Sequence, residues 1–164
     1  MSLIFTLLAL LNVTLYGVTM FLGFGHVTGS PDGLHILLGI LASTLTMITH
    51  CLVFIYLIGT GLGVREAVEN HGLDPALYRQ TARFKARAFP FALFSMISVV
   101  VVAAMGARTD VGDGPASTHL AWALFALAFN LISFPIEIRA MGANGNLMDE
   151  VSNLSARSLG VDPS

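Results

Sequence analysis

Four apolar stretches, each close to the length of a bilayer's hydrocarbon core, constrain this chain more than any other feature. They run Leu3–Phe24, Leu34–Leu57, Phe89–Met105 and His119–Ile138. A helix needs about 20 predominantly apolar residues to cross that core. The stretches are continuously apolar rather than strictly alternating, which points to helices and away from a barrel. The chain of 164 residues is 55% hydrophobic and only 11% charged, whereas soluble domains carry roughly 25% charged residues. The expected fold is all-α: an integral membrane four-helix bundle with a short amphipathic cytoplasmic helix between spans two and three. Residues 1–141 read as the four-span domain, and 142–164 as a polar, partly mobile cytoplasmic tail.

Basic residues orient the spans. Residues 1–64 contain no Lys or Arg and one acidic residue, Asp32. The connection between spans two and three holds Arg65, Arg79, Arg83, Lys85 and Arg87, and the tail adds Arg139 and Arg157. The other side has Arg108 alone. Both termini are therefore expected in the cytoplasm. The first span lacks a basic n-region and a clear cleavage site, so it reads as a retained anchor rather than a signal peptide. A net charge of −2 without a large basic block argues against nucleic acid as a partner. The bilayer is the expected partner, together with other membrane subunits or further copies of the chain. The single Cys51 rules out an internal disulfide framework and a CxxC metal site.

Local signals mark the boundaries. Ser30-Pro31-Asp32 reads as a cap followed by proline at the first helical position. Asp74-Pro75 repeats it, opening a surface helix to about Ala88. Ser117 or Thr118 is placed to cap span four. Pro90 falls near the start of span three, where proline is tolerated, and Pro135 is expected to kink span four. Gly59-Thr60-Gly61-Leu62-Gly63 softens the end of span two. His71, before Gly72, reads as a helix C-terminal residue.

Small and polar residues form stripes at helical spacing. Span one carries Asn12, Tyr16, Thr19, Gly23 and His26. Span two carries His35, Gly39, Ser43, Thr46 and His50, which stay within about 80° of one another at about 100° per residue. Span four carries His119, Ala123, Ala126, Asn130, Ser133 and Glu137. Span three is weaker, with Ala92, Ser95 and Ser98. Helix packing accounts for such stripes, because membrane helices associate through small residues and polar contacts. The same faces can build a cofactor site in a bundle core.

The histidines carry the candidate chemistry, since ionisable residues in membrane spans are functional candidates by default. His35 and His119 open helices that run in the same direction, at one depth, and bis-histidine ligation of haem b by this pair is the sharpest expectation. With His26, in the loop just beyond Gly25, the three histidines also suit zinc or copper. His50 lies deeper. One reading bonds it to Asn130 or a backbone carbonyl as a satisfied core residue. Another makes it an axial ligand, with Met96 or a partner subunit opposite, or a proton-relay group extended by Glu137. Glu137 otherwise pairs with Arg139 at the membrane interface. Four spans with histidines on facing helices are similar in architecture to the cytochrome b membrane anchors of succinate dehydrogenase and fumarate reductase. The resemblance covers helix count and the placement of His35 and His119, and it implies haem b with electron transfer to or from a quinone. No nucleophile–base–acid set, HExxH helix or dinucleotide fingerprint is present.

Three functions fit these residues. One is a haem-b or metal-binding electron-transfer or quinone-interacting subunit. Another is a non-catalytic membrane subunit or assembly factor whose stripes serve packing. The third is a metal-dependent membrane enzyme with His26, His35 and His119 at its outer face.

Overall fold

The computed structural model describes the backbone over residues 2–27 and 33–160 and side chains over 3–25 and 33–160. It contains four helices: α1 (Ser2–Val27), α2 (Gly33–His71), α3 (Pro75–Asp110) and α4 (Ala116–Ser158). There is no strand among the described residues. Each helix is long and apolar enough to cross a membrane, which suggests a multi-pass membrane protein. Large apolar side chains stand exposed along all four helices, among them Leu7, Phe21, Ile55, Phe94 and Ile132. In water such a surface would be untenable; against lipid tails it costs nothing.

Neighbouring helices touch around the ring α1–α2–α3–α4, and α2 also meets α4 across the diagonal. The other diagonal pair, α1 and α3, do not meet among the described residues. The α2–α4 pair therefore crosses the interior of the bundle. The expected stripe of α4 is buried: Ala123, Ala126, Asn130, Ser133 and Glu137 all face inward, as do Ala92, Ser95 and Ser98 of α3. On α2 the buried line is Ala42, Thr46, Thr49, His50, Val53 and Leu57, rotated slightly from the Gly39/Ser43 line read from sequence. Hydrogen bonds join the stripes. Asn12 of α1 donates to Thr49 at 2.8 Å and accepts from Thr46 at 2.7 Å, and Ser95 of α3 donates to Ser133 of α4 at 2.9 Å.

Three sequence expectations change. The surface helix after Asp74 does not end near Ala88. It runs without a break into span three, so Pro90 lies inside α3 rather than near its start. Neighbouring helices make an interior proline tolerable in such a bundle. The tail from Gly142 is not a separate element either, because α4 continues through Pro135 to Ser158. Its Leu147 and Val151 pack with Val64 of α2 and Leu77 of α3 in a small apolar core. α2, α3 and α4 thus extend together past the apolar spans as a three-helix bundle. The cap of α4 also differs: Pro115 precedes the helix and no side chain caps it. Two other signals stand as read. Asp74 accepts a hydrogen bond from the Ala76 amide at 2.7 Å ahead of Pro75, and α2 ends at His71, with Gly72 at a φ of 62° that favours glycine. The Ser30-Pro31-Asp32 cap lies outside the described residues.

Candidate functional site

Two histidine centres occupy the α2–α4 diagonal, separated by about 22 Å for fifteen residues of helix. At one end, His35 and His119 face each other. Their ring centres are 6.2 Å apart and their planes cross at 81°. The sequence expectation that these two meet at one depth therefore holds as geometry.

Each ring is seated in the same way on the preceding helix. A Cβ added to Gly23 of α1 would lie 2.9 Å from His35 Cε1 and 3.3 Å from its Nδ1. A Cβ added to Gly106 of α3 would lie 3.0 Å from His119 Cε1 and 3.4 Å from its Nδ1. His35 Nδ1 bonds the Thr19 carbonyl at 3.0 Å, one helical turn before Gly23. His119 lies against the Val102 backbone, one turn before Gly106, although its buried Nδ1 has no partner in full hydrogen-bond geometry. The hairpins α1–α2 and α3–α4 thus repeat one device: a glycine admits the ring, and a carbonyl one turn earlier faces its edge. Sequence reading placed Gly23 in a stripe and passed over Gly106, because neither glycine touches its histidine in sequence.

The glycine seats give a direct prediction. Gly106→Ala forces the methyl and the His119 ring apart by a few tenths of an ångström, and the strain should cost about 1–3 kcal/mol. Thermal unfolding in detergent should show a lower midpoint for Gly106→Ala and Gly23→Ala, while Gly17→Ala, where a Cβ meets nothing within 4 Å, should be neutral.

A small cleft of about 100 Å³ opens beside His119, lined also by Met105, Arg108, Thr109 and Thr118. Arg108 is held there by Asp113, through Nε to Oδ2 at 3.2 Å and through its terminal nitrogen to the backbone oxygen at 2.9 Å. No group of three or more His, Cys, Asp or Glu suited to a metal ion occurs among the described residues. His26 does not lie in a loop: its backbone belongs to α1, and its side chain is outside the described set.

The deeper centre is fully buried. His50 bonds Glu137 through Nδ1 to Oε1 at 2.9 Å and Asn130 through Nε2 to Oδ1 at 2.8 Å. Phe134 stacks on the imidazole with ring centres 5.2 Å apart. The satisfied-core reading with Asn130 therefore describes His50, and both ring nitrogens are engaged by protein. Met96 is not among those partners. The expected Glu137–Arg139 ion pair is replaced by the His50–Glu137 contact, with Glu137 fully buried and Arg139 exposed. On one helix, residues two apart face different directions, and the buried face takes the carboxyl.

No protein-family model matches the chain, and neither a curated protein nor a solved structure matches it. The likeness to cytochrome b anchors thus rests on helix count and histidine placement alone.

Proposed function

We propose that this protein is a membrane haem-b electron carrier in which His35 and His119 would hold the haem. The observation that supports the reading most is the paired seat: two imidazoles 6.2 Å apart and nearly perpendicular, each against a glycine and a backbone carbonyl. Two imidazoles held this close could bind one metal centre between them. A backbone carbonyl at the second ring nitrogen is the usual support for a ligating histidine.

Ligand count favours haem over bare zinc or copper. A structural zinc site takes four protein ligands and a catalytic one takes three, and the described residues gather only two here. Haem iron draws its remaining ligands from the macrocycle, so two histidines suffice. Arg108 beside the cleft is a cation of the kind that pairs with carboxylates, such as the propionates of haem. The group itself would supply one-electron chemistry. This chain's residues hold the two half-buried imidazoles in register. A zinc or copper site would need His26 as its third ligand. Electrons would pass between a quinone in the bilayer and a partner at the His35/His119 face, which the distribution of basic residues puts opposite the cytoplasm.

The test is the visible spectrum of the purified protein, oxidised and dithionite-reduced, after expression with added haem. Sharp reduced bands of low-spin haem b are expected, lost in His35→Ala and in His119→Ala while far-ultraviolet circular dichroism stays helical. A colourless, metal-free preparation that is fully helical would remove the cofactor reading and leave the stripes to packing.

A further inference from the structure

The second histidine centre has a chemistry of its own, independent of whether His35 and His119 hold a haem. Glu137 is the single fully buried acidic residue among those described, and His50 the single fully buried histidine. They touch at 2.9 Å. The hydrogen positions around them follow from their neighbours. Asn130 Nδ2 donates to the Ala126 carbonyl at 2.8 Å, which turns Asn130 Oδ1 toward His50. That oxygen can only accept, so His50 Nε2 carries a hydrogen. One further proton lies between Nδ1 and Glu137 Oε1, whichever atom holds it. The other carboxyl oxygen, Oε2, is buried and has no partner among the described residues.

Packing alone does not require this arrangement. A glutamine at 137 would serve His50 Nδ1 with an amide and bring no ionisable group into the span, where such groups are costly. Among the described residues no further ion pair joins His50 and Glu137. Phe134, which stacks on His50, belongs to an apolar cluster with Phe5 and Ala9 of α1 and Val53 and Leu57 of α2, with Tyr56 at its edge. From α3, Ala88 packs in the same cluster and Ser95 reaches Ser133, whereas Lys85 lies farther along, at Gly61. On α4, Arg139 is exposed.

We propose that His50 and Glu137 form a proton-exchange site in the bundle interior, loaded and unloaded through Glu137 Oε2. In loading, a proton bonds to Oε2 and the shared proton passes wholly to Nδ1, leaving a neutral carboxyl beside an imidazolium. The site gains one proton and one positive charge; no electron moves. Unloading is the reverse, with water as the acceptor. The Asn130 side is closed, because its amide is committed to Ala126 and Oδ1 cannot hand a proton onward. The site is therefore a proton store, not a through-going wire.

Infrared spectroscopy of the full chain in nanodiscs, titrated with pH in H₂O and D₂O, tests this. The expected result is a carboxyl band that appears, or shifts from its unloaded position, as the pH falls, exchanges with deuterium, disappears in Glu137→Gln, and moves its midpoint by at least one pH unit, a tenfold change in proton affinity, in His50→Gln. A band that neither titrates nor exchanges while the protein stays helical, or one that persists in Glu137→Gln, overturns the proposal. Should Glu137→Gln fail to fold, nitrogen-15 histidine spectra of the unaltered chain decide: a His50 Nδ1 resonance that titrates supports the store, and one that is invariant refutes it. The visible spectrum reports on His35 and His119 separately, so failure of either reading is distinguishable from failure of the other.

Discussion

His50→Ala is expected to destabilise the bundle by about 3–5 kcal/mol, the range for removing one partner of a buried charged pair. Hydrogen bonds between membrane helices are individually weak, averaging about 0.6 kcal/mol in double-mutant cycles, so losing the bonds to Asn130 and Glu137 would by itself cost little more than about 1 kcal/mol. The larger part comes from what is abandoned. Glu137 keeps a buried carboxyl with neither oxygen partnered, since Oε2 already has none. Phe134 loses the ring stacked on it, and the space of an imidazole opens at full burial. Thermal unfolding in mild detergent measures the loss. The double variant His50→Ala, Glu137→Ala should be less destabilised than the sum of the single changes, because removing the carboxyl removes the abandoned group. Strict additivity would show that the two residues act as independent packing groups.

The sequence made the spans legible because lipid demands length and apolarity, and both can be read residue by residue. It made the polar stripe of α4 legible because Asn130, Ser133 and Glu137 recur at helical spacing and all prove buried. It placed His35 and His119 at matching starts of parallel helices, and they meet. What it hid depends on contacts between helices. For Glu137 the sequence leaves two partners open, His50 in a relay and Arg139 in an interfacial pair, because helical phase alone does not say which face the core takes when charges are close. The glycine seats were hidden for the same reason: Gly106 and His119 are joined by a turn that brings α4 back along α3, and nothing in the intervening residues announces the contact. The helical end of α4 is hard to read from sequence because its apolar residues are sparse. Leu147, Val151 and Leu154 repeat at spacings of four and three, but Gly142, Asn144, Gly145 and Asn146 precede them and lower the apparent hydrophobicity.

That sparse repeat carries the other large effect. Leu147 is fully buried against Val64, Leu77 and Val151, at the centre of a shell of partly buried apolar side chains that includes Val68, Leu73 and Met148. Leu147→Ala should cost about 2–5 kcal/mol, the range for truncating a buried leucine. The loss should fall mainly on the extension, because the apolar cluster around Val53, Leu57 and Met141 shares with it only the partly buried Phe84 and local units can open independently. Limited trypsin digestion resolves the two. The α3 segment of the extension carries Arg79, Arg83, Lys85 and Arg87, all placed on a helix whose fold depends on this small core. Cleavage there should accelerate strongly in Leu147→Ala while the spans stay intact as fragments. Leu93→Ala, on an exposed position of the same helix, should leave the digestion pattern unchanged. An equal rate in Leu147→Ala and the unaltered chain would mean that the extension draws its order from the membrane bundle and not from its own core.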